Sequence, residues 1–167
     1  STDTTNRSTV NLNVFFTPNE TDVNDLSNLN YSIMVFTNNR TNFTLYNTAT
    51  TNGTFTNFIV QSRNLTKGQT WQAQVWINDG TANSTLVNTS EILILNTAPA
   101  FDGGYPQINS TDGRNFSDKD LSVIFVATDV DSGDVLTYNL TVYKNNLTSD
   151  VNRTNIAYTN GSLVTNT

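Results

Sequence analysis

Thr70-Trp71-Gln72-Ala73-Gln74-Val75-Trp76-Ile77-Asn78, followed at once by Asp79-Gly80, is the stretch whose reading decides the fold. Trp71, Ala73, Val75 and Ile77 alternate with Gln72, Gln74 and Trp76, and a two-residue period puts each set on its own face of a strand. Asn-Asp-Gly then supplies turn chemistry, because glycine takes positive φ and Asn or Asp bonds nearby backbone. The same period extends in both directions. Val10, Leu12, Val14 and Phe16 alternate with Asn11, Asn13 and Phe15; Tyr31, Ile33 and Val35 with Asn30, Ser32, Met34 and Phe36; Phe43 and Leu45 with Asn42 and Thr44. Ile92 to Leu95 is a short apolar run, and Asn52-Gly53, Lys67-Gly68 and Asp102-Gly103-Gly104 punctuate the rest. No stretch carries a 3.6-residue stripe. Many short strands with such punctuation predict an all-β chain of β-sandwiches.

The chain also repeats itself. Asp3, Asn6, Ser8, Leu12, Val14 and Phe16 match Asp112, Asn115, Ser117, Leu121, Val123 and Phe125 at an offset of 109. The run from Tyr31 to Phe36 matches Tyr138 to Tyr143 at 107, and Thr51 to Phe55 matches Thr159 to Leu163 at 108. A period of about 108 residues is the size of one immunoglobulin-like domain. Two tandem sandwiches are therefore expected, residues 1–96 and 97–167, joined at Asn96-Thr97-Ala98-Pro99-Ala100-Phe101, where Pro99 makes a stiff extended joint. The second repeat reaches only the equivalent of Ile59 and contains no counterpart of the block from Lys67 to Leu95. Half a sandwich leaves strand edges and core open. Its last strands are expected either from continuation of the chain or from a neighbouring subunit by strand addition.

Composition narrows the function. Only 13 % of the 167 residues are charged, against roughly 25 % in an ordinary soluble domain. Cys and His are absent, which removes disulfides, thiolate zinc sites, cysteine nucleophiles and every histidine-based triad. A net charge of −6 with eight Lys and Arg lacks the basic patch that nucleic acid or anionic lipid requires. No apolar run approaches the ~18 residues of a membrane span, so no membrane insertion is expected in this segment. Leu, Ile, Val and Phe make up 26 % of the chain, enough for a folded core.

Asn and Thr, 27 and 29 of them, fill a third of the chain. N-x-S/T sequons occur at Asn6, Asn19, Asn30, Asn39, Asn42, Asn52, Asn64, Asn83, Asn88, Asn109, Asn115, Asn139, Asn146, Asn152 and Asn160. These 15 sites are twice the number that 27 asparagines and 42 Ser and Thr would produce by chance. The excess points to a chain that carries N-glycans in an extracellular setting. Asn30, Asn42 and Asn139 fall in the outward register beside Tyr31, Phe43 and Tyr138. Both Asn-Gly pairs, Asn52-Gly53 and Asn160-Gly161, lie inside sequons, where a sugar would block deamidation.

Leu65-Thr66-Lys67-Gly68-Gln69-Thr70-Trp71, then Val75-Trp76-Ile77-Asn78-Asp79-Gly80, then Ile94-Leu95-Asn96-Thr97-Ala98-Pro99 resembles the immunoglobulin-like repeats of prokaryotic, especially archaeal, cell-surface and filament proteins. Val126-Ala127-Thr128-Asp129-Val130-Asp131-Ser132-Gly133-Asp134 with Tyr138 is similar to the cadherin-like pattern. The resemblance implies tandem extracellular sandwiches used as stalks, surface-layer parts, adhesins or filament subunits. It also implies that Asp129, Asp131 and Asp134 could ligate Ca²⁺. The sequence departs from the cadherin pattern in a linker without acidic residues and in a partly acidic first-repeat counterpart, Asp22, Asn24 and Asp25. A solvated Asp/Gly turn is the competing expectation.

Trp71 reads as core; Trp76, Phe36 and Phe15 fall outward, where they would stack on sugars or bury against a neighbour unless a bulge turns them inward. No catalytic residues and no required cofactor are expected, since nothing places two of the 14 carboxylates in a cleft. The expected role is a heavily N-glycosylated structural repeat subunit of an extracellular filament, stalk or surface layer, whose partners are copies of itself. The alternatives are an adhesin or carbohydrate-binding module and a Ca²⁺-dependent cadherin-like contact domain.

Overall fold

The computed structural model describes residues 6–21, 29–145 and 147–167. The chain divides into two compact units, Ser1–Thr97 and Ala98–Thr167. Among the described residues its regular structure is strand, apart from a single 3-10 turn at Ser62–Asn64, so the protein is all-β, built of several antiparallel sheets. No helix is long and apolar enough to cross a membrane among these residues.

The first unit contains β1 (Leu12–Phe16), β2 (Asn30–Thr37), β3 (Arg40–Ala49), β4 (Thr56–Val60), β5 (Thr70–Asn78), β6 (Val87–Asn88) and β7 (Ile92–Leu93). β1 pairs with β4, while β3, β2, β5 and β6 form a second sheet in that order, with β7 also on β5. β1 starts at Leu12 and not at Val10, because the Val10 N–H donates to the Arg7 carbonyl at 3.3 Å and closes a turn there. Alternation then does what the sequence requires. Leu12, Val14 and Val60 from the smaller sheet pack in one apolar cluster with Tyr31, Ile33, Val35, Trp71, Ala73 and Val75 from the larger one, closed by Leu65 and Ile94. Gln72, Gln74 and Trp76 sit half-buried on the opposite face. The run from Ile92 to Leu95 is only partly a ladder strand. Beyond β7, the Ile94 N–H donates to the Gln69 carbonyl (2.8 Å) and the Leu95 N–H to the Asn6 carbonyl (2.7 Å).

The second unit contains β8 (Ala100–Phe101), β9 (Gln107–Ser110), β10 (Leu121–Phe125), β11 (Ala127–Thr128), β12 (Leu136–Lys144), β13 (Leu147–Tyr158) and β14 (Val164–Asn166). β9 and β14 flank β10, β8 pairs with β11, and β12 pairs with β13. Its pairings follow the offsets of the sequence repeat. Val14 lies opposite Phe58 and Phe16 opposite Thr56; Val123 lies opposite Asn166 and Phe125 opposite Val164. The β2–β3 ladder breaks between Tyr31 and Ile33, and β12–β13 breaks between Tyr138 and Leu140. At these bulges Asn47 and Asn155 take φ of 51° and 54°, a left-handed conformation that Asn tolerates better than other non-glycine residues. The Asn47 N–H donates to Ser32 Oγ (3.1 Å), and the Asn155 N–H donates to Asn139 Oδ1 (2.8 Å). Even the ring pairs correspond. Phe16 meets Tyr31 edge-on at 5.1 Å, and Phe125 meets Tyr138 edge-on at 5.0 Å.

The two interiors differ. Among the described residues of the second unit Phe125 is the one buried apolar residue. Phe101 and Tyr158 also contact its ring. The Tyr158 hydroxyl accepts from the Ala127 N–H at 2.8 Å and shares its proton between the carbonyls of Ser162 (2.7 Å) and Ala127 (2.9 Å). This pins the end of β13 to β11. Ile33 and its counterpart Leu140 measure the difference. Ile33→Ala removes a fully buried side chain and is expected to cost about 2–5 kcal/mol, whereas Leu140→Ala removes a half-buried one and is expected to cost about 1 kcal/mol. Urea denaturation followed by amide exchange in each unit measures both; equal losses would contradict the open second interior.

Candidate functional site

The sequons spread over both units. Asn146 lies outside the described residues. Of the other fourteen asparagines none is buried: Asn19, Asn39, Asn42, Asn64, Asn83, Asn88, Asn109, Asn115, Asn139, Asn152 and Asn160 are exposed, and Asn6, Asn30 and Asn52 half-buried. Their local geometry falls into kinds. Asn6, Asn39 and Asn115 take left-handed φ of 54°, 61° and 58°. Asn83, Asn115 and Asn139 accept hydrogen bonds through Oδ1, the oxygen that glycosylation leaves in place.

Asn52 and Asn160 are different. Asn52 Oδ1 accepts from the Glu20 N–H at 2.8 Å while its Nδ2 donates to the Glu20 carbonyl at 2.9 Å. Asn160 Oδ1 accepts from the Asp129 N–H at 2.8 Å while its Nδ2 donates to the Asp129 carbonyl at 2.6 Å. Each side-chain amide thus clamps both polar groups of one backbone residue. The turns beside them match: the Gly53 N–H donates to the Pro18 carbonyl, the Gly161 N–H to the Ala127 carbonyl, and the two glycines have φ of 70° and 73°. Such a two-bond clamp uses the Nδ2 hydrogen syn to Oδ1. An N-linked sugar occupies that position in a trans amide and leaves only the anti hydrogen. Keeping the clamp would force a cis amide, at about 2.5–4 kcal/mol, more than the ~0.5–1.5 kcal/mol of a typical hydrogen bond. The clamp and the glycan exclude each other at these two asparagines, which changes the reading of both Asn-Gly pairs: the fold itself holds their amides. Sequence reasoning missed the clamp because its partners are backbone groups, so Glu20 and Asp129 carry no matching side-chain signature. The recurrence of Asn-Gly at both repeats was the available signal.

The Asn160 clamp also positions the acidic cluster. Asp129, Asp131 and Asp134 bring carboxylate oxygens within 4.8 Å of one another. Asp129 and Asp131 are 8 % and 5 % exposed, Asp134 half-buried. Asp129 Oδ1 accepts the Asp131 N–H at 2.8 Å, while Asp129 Oδ2 is buried without a hydrogen-bond partner. The cluster is therefore packed into the fold and is not a solvated turn. An all-oxygen donor set with one unsatisfied buried oxygen is chemically suited to a hard cation. The first-repeat counterparts Asp22, Asn24 and Asp25 lie outside the described residues.

Two of the outward aromatics make ring contacts. Phe15 stacks on Phe55 at 5.9 Å with both rings exposed; half-buried Trp76 lies 5.9 Å from Tyr46. Phe36 is half-buried as well, and Trp71 is in the core.

Two further aspartates tie turns. The N–H groups of Ala82 and Thr81 both donate to Asp79 Oδ1 at 2.7 Å, and they hold its carboxyl below the ordinary aspartate value. The Arg114 N–H and the Ser110 hydroxyl do the same for Asp112. A carboxyl depressed in the folded state stabilises it fully above the unfolded value of 3.8, and that contribution is lost as pH falls through the folded value. NMR titration is expected to show Asp79 and Asp112 ionising below the ordinary aspartate value, and Asp79→Asn to flatten stability against pH in that acid window; ordinary titration of both residues would contradict it.

No known family model, curated protein or solved structure matches the chain.

Proposed function

We propose that this chain is a structural, N-glycosylated repeat subunit of an extracellular filament, stalk or surface layer, assembled with copies of itself. The observation that carries the reading is the placement of the sequons. Fourteen described asparagines, on strands and turns of both units, are exposed or half-buried, on a chain with eight cationic side chains and fourteen anionic ones. Sugars on such sites would hydrate a surface that charge alone hydrates poorly, and would keep strand edges of neighbouring molecules apart. The repeated pairing of β1–β4 and β10–β14 supports serial immunoglobulin-like sandwiches. A function built on shape and hydration also suits a chain without Cys or His.

The test is site-by-site occupancy on native material. Intact mass is expected well above the 18.4 kDa of the bare chain, with peptide mapping placing sugars on exposed sequons such as Asn19, Asn42, Asn88 and Asn152. Asn52 and Asn160 are expected bare. Unmodified asparagines throughout would overturn the reading, and sugars on Asn52 or Asn160 in folded protein would overturn the clamp argument.

One observation favours a further Ca²⁺-stiffened contact role: the buried, unpartnered Asp129 Oδ2 beside two other carboxylates. Asp129, Asp131 and Asp134 would hold the ion, which would neutralise their mutual repulsion. Millimolar Ca²⁺ is expected to raise the melting temperature by about 4 °C or more over chelator, and Asp131→Asn to abolish the shift. Identical melting in Ca²⁺ and in chelator would remove this reading.

A further inference from the structure

β2 and β12 are the same strand by sequence offset, bulge position and ring contact, yet their edges differ. β2 pairs with β3 along one edge and β5 along the other. Among the described residues β12 pairs along one edge only, with β13. Beside it lies an apolar cavity of about 470 Å³ whose lining includes Ile108, Val123, Phe125, Tyr138, Leu140 and Val142 and contains no charged side chain. In the first unit Tyr31, Ile33 and Val35 are 8, 0 and 2 % exposed, beside a β5 whose Trp71, Ala73 and Val75 are 3, 2 and 8 % exposed. Their counterparts Tyr138, Leu140 and Val142 are only half-buried. Burial is lost at the residues whose first-unit counterparts lie beside β5.

We propose that the unpaired edge of β12 accepts an extended strand of the β5 kind. The occupant is antiparallel, uncharged and apolar at alternate positions. Its chemistry is read from the molecule's own template, since Thr70–Asn78 carries no charge and fills the equivalent place in the first unit. A charged peptide would leave its charge unpaired against an uncharged lining. The β5 of this chain is not the donor, because β2 and the core hold it. The repeat offset sets the register. In the first unit Ile77, Val75, Ala73 and Trp71 face Tyr31, Ile33, Val35 and Thr37, so the same donor positions face Tyr138, Leu140, Val142 and Lys144. As a join between subunits the edge rests on the filament reading, whereas the edge and its cavity stand without it. Main-chain bonds along the edge supply affinity and the alternate side chains entering the cavity supply selectivity.

The test uses the 167-residue chain and a synthetic peptide of the Thr70–Asn78 sequence. Excess peptide is expected to slow amide exchange across Leu136–Tyr143 by about tenfold or more, with no such change in β2. A peptide carrying Ala73→Asp and Val75→Asp is expected to have no effect. Because the chain has no cysteine, register can be read covalently: Leu140→Cys should form a disulfide with a Val75→Cys peptide, and Val135→Cys, on a 90 % exposed residue, should not. Exchange on the unsubstituted chain stands even if Leu140→Cys folds poorly. Unchanged exchange at saturating peptide, equal protection by the Asp peptide, or β12 already protected through self-pairing would each overturn the proposal. Bare sequons with peptide capture would remove the filament setting and support the acceptor edge; occupied sequons without capture would remove the acceptor edge alone.

Discussion

A strand that carries apolar side chains on its inward face needs neighbours along both edges and a layer over that face. Everything else in this molecule depends on how that demand is met at Tyr31-Ile33-Val35 and at its copy, Tyr138-Leu140-Val142. In the first unit β5 satisfies the edge and, with the β1–β4 pair, the face, so that Ile33 has no exposed surface. In the second the side chains keep the same alternation and the backbone keeps the same bulges, but burial concentrates on Phe125 and its ring contacts. Register is specified by the pattern of side chains even where no described strand pairs with the second edge of β12.

Asparagine does most of the local work, in two physically separate ways. At Asn6 and Asn115, Asn38 and Asn145, and Asn47 and Asn155 it takes left-handed φ, where its short polar side chain makes that region accessible. At Asn52 and Asn160 its amide imitates a backbone peptide group and ties residues 32 and 31 positions away. The other described sequon asparagines are exposed or half-buried. The low charge of the chain and its excess of asparagine are thus one fact, because positions that would hold Lys or Glu on an ordinary surface hold a residue that shapes turns and can carry sugar. At Asn52 and Asn160 backbone bonding engages the amide hydrogen that a glycan would replace.

The fold was largely legible in the residues. Trp71, Ala73 and Val75 are buried as their alternation requires, Gly53, Gly68, Gly80, Gly104 and Gly161 take positive φ at the expected turns, and the offsets of 109 and 107 reappear in the strand registers. Boundaries were less legible. Val10 continues the apolar alternation yet lies in a turn, because the carbonyl of Arg7, three residues back, competes successfully for its N–H. The acidic cluster was legible as a spacing, but not as two buried carboxylates with an unsatisfied oxygen.

The sequence by itself determined the period-two faces, the turns, the repeat and the surplus of sequons, because each is set by residues close together in the chain or by direct self-similarity. Only the tertiary structure decided which sequon amides are engaged, that Asp129 and Asp131 are packed inside, and that among the described residues β12 has one neighbour where β2 has two. Those outcomes depend on groups some thirty or more residues apart meeting in space, often through backbone atoms that every residue shares, and a backbone donor or acceptor leaves no mark in the letter that carries it.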